Sequence, residues 1–294
     1  MSRPAPAGGG DEGRRPDRLL IVNADDYGLT PAVSRGILRA HRDGVVTSTS
    51  VLTLAPGFRP SAAALRDTPG IGVGAHLAAV GEDPPLLSAR EIPTLVDRRG
   101  RLASSWRVFL PRLAARRIDP DDLRREFTAQ LECLRGERLH LGHVDTHQHL
   151  HLWPAVGEVV LDVAAAAGIT AMRIIRSAER SPVGVTVRRL GRRLERRATA
   201  AGVRYPATAT GLDEAGTLDR PRLDRAIDRL AADGGDSAEL ATHPGEGDDP
   251  DLARYRWGYV WGAELAGLTD PAVRDRIARA GFRLGTYDDL GAPA

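Results

Sequence analysis

The chain has 294 residues, 42% of them hydrophobic, and its 41 basic and 39 acidic residues nearly cancel to a net charge of +2. That length suits one large α/β barrel or two modest domains, and no apolar run reaches the roughly 18–20 residues of a membrane span. All 41 basic residues are arginine, and without a lysine there is no Schiff-base, pyridoxal-phosphate or P-loop lysine chemistry.

Residues 1–17 read as a disordered Pro/Gly/Arg tail without an apolar signal core, so the expected compartment is the cytoplasm. Residues 18–294 are expected to form a single domain. It opens with RLLIVNADD, an apolar strand that ends in two adjacent carboxylates, Asp25 and Asp26. TPAVSRGILRAHRDG follows as a helix, with Thr30 as N-cap, Pro31 in the first turn and Gly44 as the stop. VVTSTSVLTLA is a second strand, RPSAAALRDTPG a short helix, and IGVGAHLAA a third strand with His76 near its end. Residues 81–120 are too long and irregular for an ordinary connection and read as an inserted loop or lid beside a site.

DPDDLRREFTAQLECLRG is the next helix. Its Cys133 is the only cysteine, so the chain forms no internal disulfide, and a small buried residue is the simpler reading than a nucleophile. LHLGHVDTH is a strand, PAVGEVVLDVAAAAG a helix, and ITAMRIIR a strand that carries Arg173. The basic run at 187–202 reads as a solvated helix face or a sugar- or phosphate-facing segment. With few aromatics and no nucleic-acid motif, no nucleic-acid partner is expected. DRPRLDRAIDRLAADG (helix), AELATHPG (strand and loop, with His243), DPAVRDRIARAG (helix) and FRLGTYDDL (strand) complete the chain.

Repeated βα units imply parallel strands with helices outside them. The expected fold is α/β, a (β/α) barrel that is distorted or incomplete, with a doubly wound open sheet as the alternative. In both, ligands sit at the C-terminal ends of the strands. Asp25 and Asp26, His76, the histidine cluster and His243 all fall at such ends.

HVDTHQHLH, at 143–151, places four histidines and an aspartate in nine residues. If extended, His143, Asp145, His147, His149 and His151 share one face; if helical, His147 and His151 are neighbours. Either way imidazoles and carboxylate gather as they do around zinc and related divalent metals. Not all can be ligands, and some should orient the others. Adjacent aspartates fit the same site. One can ligate, while the other takes a proton from water. DDYG alone would read first as a helix cap and turn, and only the histidines beside it reverse that reading. His76 and His243, taken singly, read as well as core or cap histidines. Tyr27 is either a packing residue or part of a substrate pocket. His41 and His140 are not assigned to the site.

At these residues the chain resembles the YdjC-like carbohydrate deacetylases, which include chitooligosaccharide deacetylases and the hopanoid-cluster protein HpnK. The matching motifs are NADDYG, then GAHL at 74–77, HVDTHQHLH and finally His243-Pro244-Gly245. EIPTLVDRRGRL and RLGTYDDL also resemble family segments, so the likeness runs over roughly residues 18–290. It implies a barrel-like fold and metal-dependent removal of acetyl from an N-acetylated sugar. Carried over by position, Asp26, His76 and His147 would hold one divalent metal, zinc or magnesium. Asp25 would be the general base, with His243 as acid or orienting group. Tyr27, His143, Asp145, His149, His151 and Arg173 would support the ligands or contact substrate. Ala78 and Ala79 replace the polar residues usual in the family, which puts the substrate in question more than the metal. The rivals are a phosphoesterase-like metal hydrolase and a sugar-binding protein without activity. Glycoside hydrolysis ranks lowest, because adjacent carboxylates cannot flank a bond across about 5–9 Å. A homo-oligomer is compatible with the sequence.

Overall fold

The computed structural model describes residues 18–291, so the expected tail at 1–17 lies outside the described residues. In chain order the elements are β1 (Arg18–Tyr27), α1 (Pro31–Arg42), β2 (Ser48–Val51), α2 (Phe58–Arg66), β3 (Gly72–Leu77), α3 (Trp106–Ala114), α4 (Pro120–Gly136) and β4 (His143–Thr146). A 3₁₀ segment (His147–Leu152) leads into α5 (Pro154–Ala167), α6 (Pro182–Ala200), β5 (Thr208–Thr210), α7 (Arg220–Asp233), β6 (Ser237–Thr242), α8 (Trp261–Leu268), α9 (Pro271–Arg279) and β7 (Phe282–Leu284).

All seven strands pair in parallel, in the order β4-β3-β2-β1-β6-β5, with β7 also against the start of β1. Parallel pairing requires helical crossovers, and the alternating elements supply them. Among the described residues the sheet continues beyond β4 only as two isolated bridges, Val144 with Met172 and Ala171 with Arg204. The expected strand ITAMRIIR is thus reduced to a bridge pair, and the parallel sheet curls into a half-barrel. The physical reason lies in its partners: Arg173 turns inward to a polar network, and the residues that follow have no neighbouring strand.

Alternation along β1 explains both the core and the site. Leu20, Val22 and Ala24 point out into the main apolar core beneath the helices. Leu19 and Ile21 point inward and form a small apolar floor with Ala171, Tyr287 and Leu290. Further along the same inward face come Asn23 and Asp25, both buried. The inside of the curl is therefore apolar at one end and polar at the end where the strands finish.

Helix α1 starts as its sequence dictates. Thr30 is extended and its hydroxyl accepts a hydrogen bond from the Val33 N–H at 3.1 Å, with Pro31 in the first turn. The expected loop at 81–120 is mostly irregular but includes the helix α3.

Candidate active site

Adjacent residues in a regular strand point to opposite faces, so Asp25 and Asp26 could not both enter one cavity from ideal β1. They do so because the β1–β2 register shifts between Ala24 and Tyr27, and Asp26 takes a left-handed φ of 69°. A non-glycine residue in that region is strained and is held there by its surroundings. The turn continues through Gly28 at φ 93°, where a Cβ would meet the Leu52 carbonyl oxygen at 2.7 Å.

The two carboxylates then face different partners. Asp26 Oδ1 lies 3.6 Å from His76 Nε2 and 3.5 Å from His147 Nδ1. It is buried and finds no hydrogen-bond partner among the described residues. A ligand atom from each of these three residues lies within 4.8 Å of the others. His76 is oriented from behind: its Nδ1 is 2.7 Å from Asp145 Oδ1. That carboxylate accepts a hydrogen bond from Nδ1–H, so Nε2 is the ring nitrogen turned toward Asp26, the orientation that metal-binding histidines require. Burial pulls the His76 pKa down, but Asp145 and the other carboxylates outweigh it and hold it up at about 9. The surroundings thus favour a positive charge at Nε2, which a proton or a metal can supply. Burial raises the Asp26 pKa, but His147 and His76 outweigh it and the net shift is downward. A buried, unpartnered carboxylate oxygen between two imidazole nitrogens fits a divalent cation.

Asp25 is gripped by Arg173, whose Nη1 and Nη2 each donate to one of its oxygens at 2.7 Å. Asn23 Nδ2 donates to Asp25 Oδ1 at 2.8 Å. Burial raises the Asp25 pKa, yet the Arg173 guanidinium more than reverses this and holds the group well below the usual carboxylate range. Arg173 is fully buried and also reaches Asp145 Oδ2 at 2.6 Å and Glu239 Oε1 at 2.7 Å. One arginine thus compensates three buried carboxylates. Asp25, His76 and Asp145 could also hold an ion by spacing, but Arg173 already supplies the positive charge there.

His243 Nε2 lies 3.9 Å from Asp25 Oδ2. Its backbone N–H donates to buried Glu264 at 2.6 Å, and its ring meets Tyr259 edge-on. The remaining histidines do not share one face. After β4 the chain turns through left-handed Gln148 (φ 54°) and His149 (φ 53°), so the run is neither extended nor a regular helix. His143 sits deeper, stacked on Tyr287 at 3.8 Å and 3.1 Å from the Ser50 hydroxyl; burial pushes its pKa down to about 3. His151 is buried against the Thr146 hydroxyl at 2.8 Å, and burial pushes its pKa down to about 4. His149 lines the cavity. Tyr27 does not: it is buried and its hydroxyl donates to the Ser61 carbonyl at 2.7 Å. It is a packing residue because the turn at Asp26 and Gly28 sends it outward from the site.

Gly74 on β3 must lack a side chain, because a Cβ there would fall 2.1–2.5 Å from the His143 ring. Gly74→Ala is expected to cost about 1–3 kcal/mol by overpacking. Denaturant unfolding of the variant against the parent checks this.

Asp25, Asp26, His76, His147 and His243 share a cavity of about 470 Å³. Its wall includes Trp106, Trp257 and Tyr259. Trp257 lies 5.2 Å from the His147 ring and 5.4 Å from Tyr259. This aromatic wall, together with Asn23, Ser50, Glu239 and Glu264, escaped the sequence reading. YRWGYVW, at 255–261, was its one visible signal.

The family model described as YdjC-like protein matches residues 19–279. A chitooligosaccharide deacetylase of Enterobacter sp. (strain 638) is 33% identical, covering 93% of this chain and 100% of its own. A carbohydrate deacetylase of Geobacillus stearothermophilus is 31% identical, covering 93% and 98%. A carbohydrate deacetylase of Homo sapiens is 32% identical, covering 94% and 92%. Among solved structures, a protein of Enterococcus faecalis V583, provisionally named for cellobiose-phosphate cleavage, matches with a TM-score of 0.77 at 25% identity. That match covers 92% of this chain and 98% of the other. With the family match running from the first strand to α9 and these relatives spanning nearly their whole length, the chain belongs to the YdjC-like family.

Proposed function

We propose that the protein hydrolyses the N-acetyl group of an amino sugar or its glycoconjugate, releasing acetate, with one divalent cation, zinc or magnesium, held by Asp26, His76 and His147. The observation that carries this is the Asp26 oxygen, buried without a hydrogen-bond partner and 3.5–3.6 Å from two imidazole nitrogens. The deacetylase names of the full-length relatives support the substrate class.

When bound, the cation supplies positive charge that polarises an acyl carbonyl and acidifies water. Asp25 accepts the proton of the attacking water. Arg173 keeps it ionised at neutral pH and fixes the direction of its oxygens. The same grip weakens its hold on the proton, which must be passed on to the leaving nitrogen. His243, whose Nε2 lies 3.9 Å from Asp25 Oδ2, relays that proton to the nitrogen as the C–N bond breaks. Asp145 keeps His76 in the tautomer that presents Nε2. Trp257 and Tyr259 offer apolar faces to a sugar ring, whose C–H bonds pack on aromatics while its hydroxyls stay solvated.

The direct test is product analysis with N-acetylglucosamine, chitooligosaccharides and nucleotide- or lipid-linked N-acetyl sugars. Acetate and a free primary amine should appear in equal amounts. Phosphate release instead would favour a phosphoesterase. Trp257→Ala should raise KM with little change in kcat, because the aromatic wall binds substrate and transition state alike; steady-state kinetics check this. Asp26→Ala should lose the stoichiometric metal, read by elemental analysis of the purified variant.

A further inference from the structure

Water adding to the acyl carbon turns the carbonyl oxygen into an oxyanion before the C–N bond breaks. The cavity that must hold this charge already contains Asp25 and Asp26, and like charges oppose it. Positive charge at Asp26, His76 and His147 answers part of that opposition. A neutral donor fixed in place beforehand answers more, because it needs no rearrangement at the moment of reaction.

Several polar groups of the cavity wall are already engaged. Gln148 accepts from the Trp106 N–H at 2.8 Å, and Glu82 accepts from the Trp257 indole at 3.1 Å. Arg107 and Arg256 are exposed to solvent. Tyr259 differs. It is half-buried in the wall, and among the described residues its hydroxyl makes no hydrogen bond. Tyr27, Tyr205 and Tyr255, by contrast, each end on a partner at 2.7–2.9 Å. Burial, and then the charges of Asp26 and Asp25, push the Tyr259 pKa up. The oxygen thus lies in the field of both carboxylates and carries its proton at neutral pH, as a donor must.

The hydroxyl is free, but the ring is locked. His243 meets it edge-on at 4.9 Å, Trp257 at 5.4 Å, and Trp261 packs on it at 5.1 Å. Gly216 also lies against it, in the left-handed region at φ 69°, where a Cβ would fall 1.9–2.4 Å from the ring. The Gly216 carbonyl accepts from the Val260 N–H at 2.8 Å, which pins the backbone just after Tyr259. A ring enclosed in this way holds its hydroxyl in one place, beside the histidine that relays the proton.

We infer that Tyr259 is a catalytic residue, whose hydroxyl donates a hydrogen bond to the carbonyl oxygen as negative charge builds there and keeps its own proton throughout. The inference rests on the deacetylase reading of the same site, and it adds to the apolar face that the ring offers a sugar.

Tyr259→Phe tests it, because this change removes one oxygen and keeps the packing of the ring. With a diacetylated glucosamine disaccharide, kcat should fall by about 10²–10³-fold, the usual worth of one oxyanion donor. KM should change by less than about twofold, and elemental analysis should find the metal content of the parent. A second readout is calorimetric binding of the disaccharide with a methylphosphonamidate in place of the acetamide, a stable tetrahedral anion. Tyr259→Phe should weaken that binding by about tenfold or more and leave binding of the deacetylated disaccharide unchanged. A variant that keeps kcat within about threefold of the parent, weakens analogue and product alike, or loses its metal would overturn the role while leaving the deacetylase reading intact. A parent that releases no acetate from this or any of the N-acetyl sugars named above would overturn both.

Discussion

Asp25→Asn is expected to lower kcat by about 10²–10⁴-fold, the usual worth of a positioned general base, while the bound metal stays in place. Asparagine keeps the size of the side chain and can still accept from Asn23 or Arg173, so the cavity should hold its shape. What it loses is the ability to take a proton. Asp25 is not one of the three groups around the unpartnered Asp26 oxygen, so its replacement leaves that set whole. Kinetics and metal content measured on the same preparation separate the two roles. A variant that retains full activity with metal bound would remove Asp25 as the base. A variant that loses both metal and activity would make Asp25 part of the metal site instead.

Arg173→Met should be the most destabilising single change in the site, by about 3–5 kcal/mol. The side chain is fully buried and is the common partner of Asp25, Asp145 and Glu239. Methionine fills much of its volume but leaves Asp25 and Glu239 without the Arg173 charge and Asp145 with His76 alone. The pH dependence follows with a definite sign. Burial raises the pKa of both Asp25 and Asp145, but Arg173 outweighs it and their folded values lie below the ordinary one. Their contribution is therefore fully present above the unfolded value of about 4 and is lost as pH falls through the folded values. Glu239 works in the opposite sense, because burial raises its pKa. The parent should thus lose stability below about pH 4 more steeply than Arg173→Met does. Chemical denaturation of both proteins from pH 3 to pH 7 reads this out, and a variant within about 1 kcal/mol of the parent at pH 7 would contradict it.

Much of this architecture could be read from the residues because short-range chemistry dictated it. LLIV followed by NADD places an apolar strand before a polar end, and Thr30-Pro31 specifies where α1 begins. The motifs at strand ends predicted convergence on one face, and Asp25, Asp26, His76, His147 and His243 do line one cavity. Other features depend on partners far along the chain. The register shift that turns both aspartates inward arises between β1 and β2, and no residue in NADDYG encodes it alone. His149 lines the same cavity as His147, but the left-handed turn at Gln148 and His149 leaves only His147 beside Asp26 and His76. Glu239 and Glu264 are single acids in apolar runs, and only the partners brought by folding make sense of them: Arg173 for one, the backbone of His243 and Leu218 for the other. The strand expected at ITAMRIIR had the right composition, but sheet pairing is decided by available neighbours as much as by propensity.

The central claim is that Asp26, His76 and His147 hold a cation on which sugar deacetylation depends. Acetate release from a chitooligosaccharide, measured before chelation, after chelation and after return of zinc or magnesium, tests it most directly. Release should stop on chelation and recover when the metal returns, and Asp26→Ala should not recover. Release that continues undiminished in a protein shown by elemental analysis to be metal-free would contradict the account.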